Sequence, residues 1–254
     1  MILSSVIIGA GPTIIILHGL FGEGKNWFNI AKELSSDYEL HLIDQRNHGN
    51  TFHDINHDYN LLAGDLYNYI QHHNLISYSI IGHSMGGKVA MQFALQYPHY
   101  LKKLIIVDIA PRKYIDDHAV ILQGLNKVLL YAKSRKDAFS ILFNEIQDTS
   151  VTHFLLKGLY FKSINNQPQL KFNLKSLEVN NDNLLKAIKA DCQYIKPIYF
   201  LRGDNSTYIT DLDVKYIASL FPYYNIITIK NAGHWVHYDN KVEFISVVNK
   251  LLKY

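Results

Sequence analysis

The sequence predicts a doubly wound α/β fold with a mostly parallel sheet, and three observations carry that expectation. Six short runs are predominantly apolar, at residues 13–17, 39–43, 79–81, 104–107, 198–201 and 226–229. Runs without polar alternation suit strands covered on both faces. Amphipathic stretches near 25–35, 60–74, 86–97, 211–221 and 241–252 separate them and supply the crossovers that parallel strands need. The alternation breaks once, between Asp108 and Cys192, where helical patterns continue without a strong strand.

Each element has a local reason. The opening Met1-Ile2-Leu3-Ser4-Ser5-Val6-Ile7-Ile8-Gly9 is apolar but lacks a basic n-region and a small-residue cleavage site, so it reads as a first strand rather than a signal peptide. Residues 13–17 (TIIIL) open the core sheet and run into a glycine-bearing loop, His18-Gly19-Leu20-Phe21-Gly22. The run Tyr78-Ser79-Ile80-Ile81 precedes a stretch, Lys88 to Leu95, with helical spacing of apolar residues, and Pro98 closes that helix. Residues 111–190 read as a helical cap subdomain, with 1–110 and 191–254 forming the core. Runs such as 121–130, 138–143 and 151–156 carry apolar faces that can roof a pocket at the carboxyl edge of the sheet.

Composition narrows the function. At 254 residues, 48% hydrophobic and 19% charged, the chain fits one globular domain plus a subdomain. No run approaches the roughly 18 apolar residues that span a membrane. The net charge of +3 is scattered, which leaves no basic stripe for nucleic acid. Cys192 is the single cysteine, so an intrachain disulfide and a cysteine metal cluster are excluded and cytoplasmic residence is expected. A monomer or small homo-oligomer is expected, acting on a small molecule without cofactor or metal.

The most specific local pattern is Gly82-His83-Ser84-Met85-Gly86, a G-x-S-x-G turn between a strand and a helix. Such a turn holds its serine on a sharp bend, and glycines two residues either side avoid collisions with strand and helix. Ser84 is therefore the candidate nucleophile. A serine hydroxyl needs a base to take its proton, and the chain offers 13 histidines. His234, in Asn231-Ala232-Gly233-His234-Trp235 after the last strand, is the candidate base. His83 points away from its neighbour on a tight turn and reads as packing, while His18 reads as fixing its loop. His48, His53 and His57, with Asp54 and Asp58, read as a solvated polar loop rather than a metal set.

The acid that steadies the base must sit at a neighbouring strand end. Two residues qualify, Asp108 after strand 104–107 and Asp204 after strand 198–201. Asp204 lies only one residue beyond Gly203, so its side chain would aim differently from one further on, and Ser206 stands three residues beyond that glycine. Asp108 is preferred and Asp204 kept as the alternative. The oxyanion that forms during attack needs two backbone donors. The amides of Met85 and Leu20 are the candidates, with Phe21 as the alternative to Leu20. The loop 18–22 has neither G-x-x-x-x-G-K-[ST] nor G-x-G-x-x-G spacing, so phosphate binding is disfavoured.

Taken together, His18-Gly19-Leu20-Phe21-Gly22 with Asn26-Trp27, Asp44-Gln45-Arg46-Asn47-His48-Gly49, the Ser84 turn, Val107-Asp108-Ile109-Ala110-Pro111 and Asn231-Ala232-Gly233-His234-Trp235-Val236-His237 resemble the α/β-hydrolase superfamily, and within it the bacterial YbfF-type esterases. The resemblance implies an α/β-hydrolase fold with an inserted helical cap, and a serine carboxylesterase for short acyl esters, with acyl-CoA thioesters as a second candidate class. It also implies that the Asp of the V-D-I-A-P segment, Asp108, is the acid. A C–C bond hydrolase or lactonase would use the same residues, and a non-catalytic ligand receptor is the rival from another class. Arg46 is expected to brace the loop after the second core strand. Arg112 and Lys113 are expected either to meet an anionic tail such as a CoA phosphate or to be solvated.

Overall fold

The structure, a computed structural model, describes residues 1–116 and 118–253. Strands β1 (Ser5–Ile8), β2 (Thr13–Leu17), β3 (Glu39–Ile43), β4 (Tyr78–His83) and β5 (Leu101–Val107) alternate with helices α1 (Phe28–Leu34), α2 (Tyr59–His72) and α3 (Met85–Gln96). After β5 comes an insertion of α4 (His118–Tyr131), α5 (Arg135–Ile146), α6 (Thr149–Lys157), β6 (Leu159–Phe161), β7 (Pro168–Leu170), α7 (Leu174–Val179) and α8 (Asn181–Leu185). The sheet resumes with β8 (Ile198–Gly203), α9 (Val214–Leu220) and β9 (Tyr224–Ile229), and the chain continues through α10 (Val236–Asp239) and α11 (Lys241–Lys253).

Seven strands form the main sheet in the order β1-β3-β2-β4-β5-β8-β9. Only β1 runs antiparallel, pairing Ser5 with Ile43 and Ile8 with Leu40. The remaining pairings are parallel, for example Ile15 with Ile80 and Ile106 with Phe200. Alternate residues of each strand enter different cores. Ile15, Leu17, Ile80, Leu104 and Ile106 pack with α2 and α3, while Ile14, Ile16, Ile81, Ile105 and Val107 pack with α1 and α11. Two buried faces explain why these strands carry no polar alternation.

The insertion shares the first of those cores through Leu125, Val128, Leu142 and Leu155. Its two ends close on each other, with Tyr114 N donating to Leu185 O at 2.9 Å and Ile188 N to Pro111 O at 2.8 Å. Between its helices lies a β6–β7 hairpin that the sequence did not announce. Each strand is three residues long, too short to show a period. Among the described residues no helix is long and apolar enough to cross a membrane.

A second departure concerns the loop after β3. The sequence suggested a solvated stretch around His48 and His57, yet both are fully buried and only His53 is exposed. The insertion covers them. Gly49 N donates to Lys171 O at 2.7 Å, Asn173 N to Asn47 O at 2.8 Å, and Asn47 Nδ2 to Ser176 Oγ at 3.0 Å. Arg46 braces this loop from below, donating from Nη2 to Asp65 Oδ1 at 2.9 Å.

Candidate active site

Parallel strands place their carboxyl ends along one edge, and the loops leaving β2, β4, β5, β8 and β9 meet there. Ser84 follows β4 with φ 52° and ψ −120°, a strained bend that the surrounding strand and helix hold in place. The flanking glycines are sterically required. A Cβ at Gly82 would collide with the carbonyl oxygen of Gly86, and one at Gly86 would lie 2.5 Å from Leu17 O. The bend leaves the hydroxyl of Ser84 facing the loop after β9.

That loop presents His234. Its Nε2 lies 3.0 Å from Ser84 Oγ, and its Nδ1 lies 2.8 Å from Asp108 Oδ2. Asp108 follows β5 with φ 49° and is wholly buried. A buried carboxylate is costly unless its lone pairs are filled. Here Gly203 N donates to Oδ1 at 3.1 Å, and Ser206 Oγ donates to Oδ2. So Ser206, in the slot three residues beyond Gly203, hydrogen-bonds the carboxylate that β5 supplies.

Asp204 is placed differently. It is exposed, and its Oδ1 accepts from Ala232 N at 3.1 Å, so it ties the loop that carries His234 rather than touching the imidazole. Backbone donors of Ala232 and Asn231 hold its carboxyl below the usual range. On the other side of the loop, Gly233 N donates to Asp239 Oδ2 at 2.8 Å. The imidazole of His234 stacks on Tyr208, with ring centroids 3.7 Å apart. Nothing in the spacing of Tyr208 pointed to that contact.

Three buried histidines support this frame, and burial lowers the pKa of each. His83 is buried, which pushes its pKa well down, and its Nε2–H donates to His234 O at 2.9 Å. His18 donates from Nδ1–H to Gly19 O at 2.8 Å, and its Nε2 accepts from Gln45 N at 3.1 Å. His48 donates from Nδ1–H to Arg46 O at 3.0 Å, and its Nε2 accepts from Phe21 N at 3.2 Å. That last bond matters for the oxyanion donors, because it commits the Phe21 amide elsewhere. Leu20 and Met85 both border the space beside Ser84, and Met85 opens α3, where a first-turn amide has no intrahelical partner.

A cavity of about 440 Å³ opens over Ser84 and His234. The insertion contributes Ile121, Val151 and Phe154 to its apolar wall, with Trp235 opposite, and Asp148 and Asp239 also line it. Arg112 does not reach this space as a free cation. It pairs with buried Asp213 at 2.8 Å and stacks over Tyr114 at 3.9 Å, because the chain entering the insertion lies against the segment before α9. Lys113 is exposed.

The model of the alpha/beta hydrolase fold matches residues 12–241, nearly the whole chain. The chain belongs to the α/β-hydrolase family. Within the family it is similar to the mouse sn-1-specific diacylglycerol lipase ABHD11, at 31% identity over 95% of this chain and 81% of that one. It is also similar to Esterase YbfF of Escherichia coli, at 29% identity over 94% of this chain and 92% of that one. Among solved α/β-hydrolases, a "Marine microorganism esterase" superposes with a TM-score of 0.94 at 39% identity, covering 98% of this chain and 99% of that one.

Proposed function

We propose that this α/β-hydrolase is a serine-dependent carboxylic ester hydrolase acting through an acyl-enzyme. The observation that carries the reading is the hydrogen-bonded line from Ser84 Oγ through His234 to buried Asp108, at 3.0 and 2.8 Å. Ser84 Oγ attacks the ester carbonyl while His234 Nε2 takes its proton, and Asp108 fixes the tautomer and steadies the imidazolium. The amides of Leu20 and Met85 receive the developing oxyanion. His234 then protonates the departing alcohol. Water, deprotonated by the same nitrogen, attacks the acyl-Ser84 ester and releases the acid. The mouse and E. coli relatives, named lipase and esterase, support this reaction class.

The insertion of residues 111–190 serves as the cap, because Ile121, Val151 and Phe154 roof the space above Ser84. The cavity suits an uncharged alcohol portion better than a CoA tail. Among the described residues the cavity is lined by Asp148 and Asp239 and by no lysine or arginine, which opposes a polyanionic tail. An active-site fluorophosphonate probe tests the reading. It should label Ser84 in the wild-type chain and not in Ser84→Ala, and p-nitrophenyl acetate should be hydrolysed only by the former. Folded wild-type protein that resists both the probe and the ester would refute it.

A further inference from the structure

Two spaces meet at Ser84. The larger, about 440 Å³, is bordered by Ser84 and His234 together. The smaller, about 40 Å³, is bordered by Ser84, Leu20 and Met85 but not by His234. Given the serine-esterase reading, chemistry assigns the two. The leaving oxygen must receive its proton from His234 Nε2, so the alcohol lies in the space that His234 borders. With the alcohol on the His234 side and the carbonyl oxygen on the Leu20 and Met85 amides, the acyl chain takes the other space that borders Ser84, the small compartment.

That compartment has an unusual end. Lys88 lies in the first turn of α3, four residues after Ser84, and its backbone N donates to Ser84 O at 3.1 Å. It borders the compartment, together with Ile109, Tyr59, Tyr114 and Leu184, and is only 1% exposed. Its ammonium donates to Lys186 O at 2.6 Å and lies 5.3 Å and 4.9 Å from the ring centroids of Tyr59 and Tyr114. Its hydrogen-bond partners among the described residues are the backbone carbonyls of Leu185 and Lys186, with no carboxylate. Burial, with the charge of Arg112 adding to it, pushes its pKa down to about 7.

We infer that the small compartment is the acyl site, that it admits acyl groups of two or three carbons, and that Lys88 is the stop that sets this length. At the roughly 10–15 Å³ that one water-sized group needs, a volume of about 40 Å³ holds about three heavy atoms, so an acetyl or propionyl group fills it. A longer alkyl chain would press methylenes against a buried ammonium whose partners among the described residues are two backbone carbonyls and two ring faces, with no carboxylate. The alcohol side has no such limit. The inferred substrates are therefore esters of very short acids with larger, apolar alcohols.

Varying acid and alcohol separately on the full-length protein tests this. In p-nitrophenyl esters, kcat/KM should fall by at least about tenfold between propionate and hexanoate, the discrimination expected of a pocket that rejects added methylenes. In alkyl acetates, lengthening the alcohol from ethyl to hexyl should not lower it. Lys88→Met keeps the length of the side chain and removes the charge, so the hexanoate-to-acetate ratio should rise by about tenfold or more. If Lys88 only ties α3 to the end of α8, all esters would lose activity alike and the ratio would stay put. Leu184→Ala widens the compartment without touching the ammonium and should raise the same ratio, which covers the case in which Lys88→Met fails to fold.

A wild-type optimum at hexanoate or beyond would overturn the inference while leaving the esterase intact, as would an unmoved ratio in both variants. So would a clear preference for the hemisuccinate over the butyrate ester, because Lys88 would then receive an anion rather than stop a chain. Failure of every ester together with absence of Ser84 labelling would instead remove the esterase reading on which it rests.

Discussion

The residues that matter most for the proposed chemistry are held by contacts made far along the chain. The buried Asp108 carboxylate is held by Gly203 N, Ser206 Oγ and His234 Nδ1, which all donate to it. Asp204 has a different duty, fastening Ala232 and so the loop of His234. These placements separate the two aspartates experimentally. Asp108→Asn should lower kcat for p-nitrophenyl acetate by roughly three to four orders of magnitude, since an amide cannot hold the needed tautomer. Asp204→Asn removes one charged acceptor at the surface and should cost about tenfold at most. A steady-state comparison decides it, and equal losses would mean that the assignment of the acid is wrong. The ambiguity was visible in the sequence, because Asp108 and Asp204 both follow strands and Ser206 stands three residues beyond Gly203. That a serine there hydrogen-bonds an aspartate from the neighbouring strand required the fold.

At the level of elements, strand ends fix the site and the loops only finish it. β8 shows this most directly. Its last residue, Gly203, packs so closely on the His234 loop that a Cβ would collide with the carbonyl oxygens of Ala232 and Gly233. Gly203→Ala should therefore displace His234 while leaving the sheet intact. A shift of about 1 Å at the base is expected to cost on the order of a hundredfold in kcat, with circular dichroism unchanged. Retained activity would show that the loop yields. The strands themselves were readable, since β2 and β3 coincide with the apolar runs and β4, β5, β8 and β9 extend theirs by a few residues. The hairpin of β6 and β7 was not, because three residues give no period to read. The burial of His48 and His57 was hidden for another reason. Their neighbours are polar, and the cover comes from Lys171, Asn173 and Ser176, more than a hundred residues later in the chain.

Across the whole molecule, the histidines of the sheet edge share one property with a consequence for stability. Burial lowers the pKa of His18, His48, His57, His83 and His237, so the native state holds them as neutral rings. His57 and His237 fall to about 3. In the unfolded chain each would titrate near the ordinary value of about 6.5. Between those two values the unfolded state binds a proton that the native state refuses, so stability is full above about pH 6.5 and declines as pH falls toward 3. Each such group contributes about 1.4 kcal/mol per pH unit inside the window, or about 2 kcal/mol by pH 5. His237 isolates the effect, because its ring stacks on Trp27 at 3.9 Å and its Nδ1 has no hydrogen-bond partner among the described residues. His83 and His234 are its neighbouring rings, and the nearby charges of His234 and Lys157 further oppose its protonation. His237→Phe keeps the stack and removes the titration. Urea unfolding at pH 7.5, 6.5, 5.5 and 5.0 should show the wild-type free energy dropping steeply below pH 6.5, and the Phe variant losing about 2 kcal/mol less over the same range. A wild-type curve that stays flat to pH 5 would mean that these rings accept protons in the folded protein, and the neutral frame around Ser84 and His234 would have to be redrawn.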